Sequence, residues 1–261
     1  MEELLRDLTP WKLAALLLGG VLSGMINTLA GSGSLITLPL FMFICGLPAP
    51  IANGTSRVGI LLQNAVGLLI YRKQGRIITP EARRVLLPVL AGSVAGASIA
   101  VTLDERIMNY CIGGLMLFML AVLLMRPERW IREGQPDLAK LRHPATVAAF
   151  VAIGLYGGFI QAGVGVFLLA GLVLAAGFSL SGANSLKLLV VGALNVPAFF
   201  IFAFNHQIHW VFGLILASSQ GLGAYLAIQM QERVPNANLW TYRLLIVMVA
   251  ASFIRYLIEW F

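Results

Sequence analysis

Apolar runs separated by short polar breaks fill almost the whole chain. They lie at 13–30, 34–47, 55–71, 86–103 and 107–125 and, after a polar stretch at 126–145, at 146–163, 165–178, 186–204, 210–229 and 239–261. A straight helix needs about 20 apolar residues to cross a bilayer, and most of these runs come close. The runs at 34–47 and 165–178 fall short. Each follows a glycine-punctuated break, Ala30-Gly31-Ser32-Gly33-Ser34 or Ala162-Gly163-Val164-Gly165, so both are expected as tilted, half-spanning or re-entrant helices. The pattern predicts an all-α polytopic membrane protein with eight to ten crossings.

Composition strengthens this reading. Hydrophobic residues make up 59% of the 261 and charged residues 11%, against averages of about 45–50% and about 25% in soluble proteins. A soluble protein of this size cannot hide that much apolar surface, so lipid is the expected partner of the excess. A disordered chain, a secreted disulfide scaffold and an ordinary cytosolic enzyme are all excluded. The net charge of +7 does not point to nucleic acid, because ten of the eighteen basic residues sit in two stretches between apolar runs. Arg72, Lys73, Arg76, Arg83 and Arg84 form one; Arg126, Arg129, Arg132, Lys140 and Arg142 form the other. Such loops are expected on the cytoplasmic side. Cys45 and Cys111 have no partner at metal or redox spacing, and no cofactor or metal is expected. The first residues, MEELLRDLTPWK, are acidic and amphiphilic rather than a basic leader, so no cleaved signal peptide is expected. All five tryptophans fall near predicted segment ends, as an interfacial belt would place them.

The two halves resemble each other in order. Ser23-Gly24-Met25-Ile26-Asn27 pairs with Gly157-Gly158-Phe159-Ile160-Gln161, and Ala30-Gly31-Ser32-Gly33 with Ala162-Gly163-Val164-Gly165. Ala52-Asn53-Gly54 pairs with Ala183-Asn184-Ser185, and eleven residues further on Asn64 pairs with Asn195. Gly96-Ala97 and Glu105-Arg106 then pair with Gly223-Ala224 and Glu232-Arg233. This is an internal duplication: a first transmembrane repeat at 1–125, a linker at 126–145 and a second repeat at 146–261. The loop 72–84 carries five basic residues, whereas its counterpart, Asn205-His206-Gln207-Ile208-His209, has no Lys or Arg. Equivalent loops are therefore expected on opposite faces of the membrane. That makes two inverted repeats of about five segments, with both termini periplasmic. Many secondary transporters are built this way and hold their sites at the midplane between repeats.

Charge at membrane depth is costly and usually functional. Arg57, after Asn53-Gly54-Thr55-Ser56, and Lys187, after Asn184-Ser185-Leu186, fall within one residue of each other in the repeat alignment. Two such cations beside amide and hydroxyl groups, each at an expected helix start, would make an anion site. The plainer reading is that each cation snorkels to the headgroups; the symmetry favours the site. Asn27, Gln161, Asn64 and Asn195 keep an amide in both copies and are candidates to line a path, with Ser32 and the breaks Gly31–Gly33 and Gly163–Gly165 supplying backbone amides. No Asp or Glu lies inside an apolar run apart from Glu259, close to the C-terminus, so no carboxylate relay for proton coupling is visible. Anion export needs none, because an inside-negative potential drives each negative charge outward by about 2.3 kcal/mol per 100 mV.

The chain resembles the TauE/SafE family of sulfite and organosulfonate exporters. The resemblance rests on Ser23-Gly24, on Ala30-Gly31-Ser32-Gly33-Ser34-Leu35-Ile36-Thr37-Leu38-Pro39, and on Asn53-Gly54-Thr55-Ser56 through Gln63-Asn64. The second half repeats the pattern more weakly, with Val164 and Val166 in place of Ser32 and Ser34. The resemblance implies an inner-membrane permease for small anions such as sulfite, sulfonates, sulfoacetate or related carboxylates; export by alternating access is the expected mechanism. An ion-coupled importer of organic anions is the alternative within transport. A membrane-embedded enzyme would need a nucleophile–base pair or metal cluster, and a non-transporting assembly subunit would leave the paired cations unused. The oligomeric state is left open.

Overall fold

The computed structural model describes residues 9–73, 82–124, 141–175, 177–178, 180–233, 246–247, 249–256 and 258. All regular structure among them is helical. In chain order the first half holds α1 (Pro10–Ala30), α2 (Ser34–Pro39), α3 (Ala49–Lys73), α4 (Ala82–Ala100) and α5 (Glu105–Leu124). The second holds α6 (Pro144–Phe159), α7 (Val164–Ala170), α8 (Leu180–Phe204) and α9 (Trp210–Arg233), and residues 249–256 are again helical. Among the described residues four stretches are long and apolar enough to cross a membrane: Pro10–Leu29, Glu105–Val122, Leu186–Phe204 and Trp210–Met230. Exposed Leu18, Leu69, Leu87, Phe204 and Ile258 spread over the outside, where only lipid can satisfy them. The protein is an all-α membrane protein. Most of the linker expected at 126–145, with its basic cluster, lies outside the described residues.

Local sequence sets the helix ends. α1 and α6 each begin on a proline, Pro10 and Pro144, where the missing N–H removes no bond. α1 closes on Gly31 in the left-handed region, φ +76°, its N–H donating to the Asn27 carbonyl at 2.9 Å. The short run after each break folds back into the protein. Every residue of α2 is buried, and Leu168 and Leu172 fill the matching place in the second half. Each short helix then widens into a π turn, Leu40–Ile44 or Gly171–Ala175. In the first half Pro39 explains the slip, because its missing N–H drops one rung of the helical ladder. Both turns stop at a left-handed glycine, Gly46 or Gly177, after which Leu47 N–H bonds the Phe41 carbonyl and Phe178 N–H the Leu172 carbonyl.

Helices pair most closely across the halves: α4 lies along α6, and α9 along α1. Glycine permits both approaches. A Cβ on Gly24 would collide with the Gln220 carbonyl, and one on Gly158 with the Ser93 carbonyl. α3 rests between α8 and α9.

Two helix starts differ most from the sequence expectation. α3 begins at Ala49 rather than near residue 55, and α8 at Leu180 rather than near 186. The polar residues Asn53 to Arg57 interrupt the hydropathy but not the helix.

Candidate functional site

Arg57 and Lys187 are both fully enclosed, at 0% and 1% exposure. Neither snorkels. Nor does either open a helix: Arg57 is in the third turn of α3 and Lys187 well inside α8, where backbone N–H groups already serve the helix. What meets each cation is the C-terminal end of a helix from the other half. Arg57 Nη1 donates to the Gly157 carbonyl at 3.3 Å, and Nη2 to those of Gly158 at 2.5 Å and Phe159 at 3.4 Å. These are last-turn carbonyls of α6, which lack an intrahelical partner. Lys187 Nζ donates to the Thr28 carbonyl in the last turn of α1 at 3.2 Å. Cations suit this end of the helix dipole. The expectation of amide-rich helix starts is thus replaced by carbonyl-rich helix ends. The sequence could not show this, because each cation and its acceptors lie at least 100 residues apart.

Arg57 is the more fully engaged. Its Nη1 also donates to Asn195 Oδ1 at 3.3 Å, and its guanidinium lies 4.5 Å from the Phe202 ring centroid. Among the described residues only its Nε lacks an acceptor. Asn53 joins this end, with Nδ2 donating to the Phe159 carbonyl at 2.7 Å. The neighbouring hydroxyls do not. Ser56 Oγ bonds its own helix at the Asn53 carbonyl, and Thr55 Oγ1 accepts from His209 N–H at 2.9 Å beside the start of α9. Asn184 and Ser185 have side chains outside those described.

The two glycine breaks cross at the centre. Gly165 N–H donates to the Gly31 carbonyl at 3.1 Å, and a Cβ on either residue would stand within 3 Å of the other's Cα. Gly163 takes φ +71°, and its N–H donates to Ser34 Oγ at 3.3 Å while that hydroxyl donates to the Gln161 carbonyl at 3.1 Å. Gly33 N–H donates to Asn27 Oδ1, so Asn27 fastens its own break. Ser32 Oγ and Gln161 Oε1 are buried without a partner among the described residues. Asn64 and Asn195 each bond back to a carbonyl one turn earlier, Ile60 and Val191. The backbone amides of Gly33, Gly163 and Gly165 are thus occupied.

Several residues that the candidate set omits stand in the same ring. Ser23 Oγ donates to the Gly33 carbonyl at 2.9 Å and accepts from Gln220 Nε2 at 2.8 Å. Thr28 Oγ1 donates to the Gly24 carbonyl at 2.9 Å and accepts from Gln63 Nε2 at 3.5 Å. Ser93 Oγ donates to the Leu194 carbonyl at 2.6 Å. Polar residues amid apolar runs were the only sequence signal for them, and that signal also marks ordinary helix–helix bonding.

The family described as sulfite exporter TauE/SafE matches residues 16–256. A probable membrane transporter protein, ORF9, of Sinorhizobium sp is 29% identical over 237 residues, 90% of this chain and 87% of the relative. A probable membrane transporter protein of Haemophilus influenzae is 26% identical over 84% of each chain. The probable membrane transporter protein YfcA of Escherichia coli K12 is 22% identical over 85% of this chain and 81% of its own. No solved structure matches. The match spans both glycine breaks, both buried cations and the helices that cap them, and the chain belongs to the sulfite exporter TauE/SafE family of membrane transporters.

Proposed function

We propose that this transporter exports small anions, sulfur oxyanions and sulfonates first among them, across the inner membrane by alternating access. The observation that carries the reading is the pair of fully enclosed cations, Arg57 and Lys187, which face carbonyls and no carboxylate among the described residues. Helix C-terminal ends carry only about half a unit of negative charge each. Two full positive charges beside them leave an excess that an anion can neutralise at the crossing of the breaks. The matching left-handed glycines, π turns and cross-half helix pairs support a two-fold arrangement, and the basic 72–84 stretch against the uncharged 205–209 loop supports an inverted one.

The test is flux of sulfite, sulfate, a short sulfonate and acetate in proteoliposomes under an imposed potential. We expect potential-driven movement of at least one sulfur oxyanion without a pH or sodium gradient. We expect Lys187→Ala to reduce it about tenfold or more while the protein stays folded. Flux only under a cation gradient would replace export with coupled import. No flux of any of the four anions from folded protein would leave the assembly-subunit reading.

A further inference from the structure

The surroundings of the two cations differ in one chemical respect. On the Arg57 side the guanidinium is almost saturated and Ser93 has donated its proton to the Leu194 carbonyl. On the Lys187 side the ammonium has one acceptor, the Thr28 carbonyl, and three N–H groups. Gln63 converges on the same residue: its Nε2 donates to Thr28 Oγ1. That hydroxyl has already given its proton to the Gly24 carbonyl, so it can only accept, and the amide must present nitrogen to it. Gln63 Oε1 is left pointing elsewhere, buried and without a donor among the described residues. Gln220 repeats the logic. Ser23 Oγ gives its proton to the Gly33 carbonyl, Gln220 Nε2 fills the remaining lone pair, and Gln220 Oε1 is left over against Gly59, one turn of α3 before Gln63. Gln63 and Gln220 are both 0% exposed. Their repeat counterparts, Leu194 and Ser93, bring no amide oxygen to the Arg57 side, where Asn53 Oδ1 is left over but the guanidinium beside it is already engaged.

A bare anion fits Lys187 but not these two oxygens, because a buried acceptor facing an acceptor is penalised and one facing a donor is rewarded. We infer that the Lys187 side of the site, between α1, α3 and α9, selects anions that carry their own O–H: the oxyanion accepts from Lys187 Nζ while the hydroxyl donates to Gln63 or Gln220 Oε1. Hydrogensulfite and hydroxyl-bearing sulfonates or carboxylates belong to this class; sulfate, alkanesulfonates and acetate do not. The inference rests on the anion-transport reading and narrows it.

The test uses matched monoanions differing by one hydroxyl, isethionate against ethanesulfonate and glycolate against acetate. Binding is read by thermal stabilisation of the purified full-length protein and by competition for flux. Isethionate and glycolate are expected to bind about tenfold tighter than their partners, since a site built to bond a hydroxyl rejects the analogue lacking it. Gln63→Leu is expected to bring the ratio close to one. Sulfite affinity that rises as pH falls would place the selected proton on the acid group; a flat sulfite profile with the isethionate preference intact would place it on a substituent. Equal binding of the members of each pair by the wild-type protein overturns the selection whether or not the variant folds, and so does a ratio that survives Gln63→Leu. Failure of all these anions to bind overturns the transport reading itself, a different result from unselective binding.

Discussion

Arg57 commits four hydrogen bonds to one helix end and one neighbouring amide, where Lys187 commits one. Bonds to a charged partner contribute about 1.5–3 kcal/mol each when the alternative is an unmet buried group. Arg57→Met is therefore expected to lower thermal stability well beyond Lys187→Met, with a gap on the order of 3 kcal/mol measurable by unfolding in detergent. Arg57→Lys should recover only part of it, because an ammonium cannot reproduce the planar fork across successive carbonyls. Glycines separate two other costs at the same scale. Gly46 has φ +74° and open space around its missing Cβ, so Gly46→Ala should cost only the left-handed penalty, about 1–2 kcal/mol. Gly165→Ala meets the Gly31 backbone instead and should cost more, since neither backbone can retreat without opening the central crossing. Equal melting temperatures for these two variants would contradict the crossing.

Between helices, the close pairs α1/α9 and α4/α6 depend on glycines set against a partner's backbone. Gly24→Val and Gly158→Val are expected to abolish folded yield. Gly114→Val on α5 should be tolerated, because nothing lies within 4 Å of that position. Size-exclusion profiles of the three variants decide it. This is also the scale at which the sequence was most and least legible. The all-helical class and the two short broken runs could be read from hydropathy and glycine spacing, because lipid exposure and helix breaks are local. The starts at Ala49 and Leu180 could not, since the polar run Asn53–Arg57 reads as a loop unless its burial by another helix is known. For the same reason Arg57 and Lys187 could be found, but not the carbonyls that hold them. Gln63 and Gln220 carry no such mark in the sequence; the protons that Thr28 and Ser23 donate elsewhere show which atom of each amide is left over.

At the scale of the whole molecule the proposed inverted arrangement has a direct test. Arg72 in the last turn of α3 and His206 just after α8 are both exposed, at corresponding ends of the proposed repeats. With Cys45 and Cys111 replaced by serine, Arg72→Cys should react with a membrane-impermeant maleimide only after cells are permeabilised. His206→Cys should react in intact cells. Labelling of both from the same side would leave the duplication standing and remove the inversion.

That each half caps the other's broken helix also sets a clock for biogenesis. When α3 leaves the ribosome, the carbonyls that Arg57 will bond are still some 100 residues away. At about 5–20 residues per second that is a wait on the order of ten seconds, with a bare guanidinium at membrane depth. The first half is therefore expected to stay at the insertion machinery until the second arrives. Stalled or truncated translation products ending before α6 are expected to be degraded rapidly, however hydrophobic their segments.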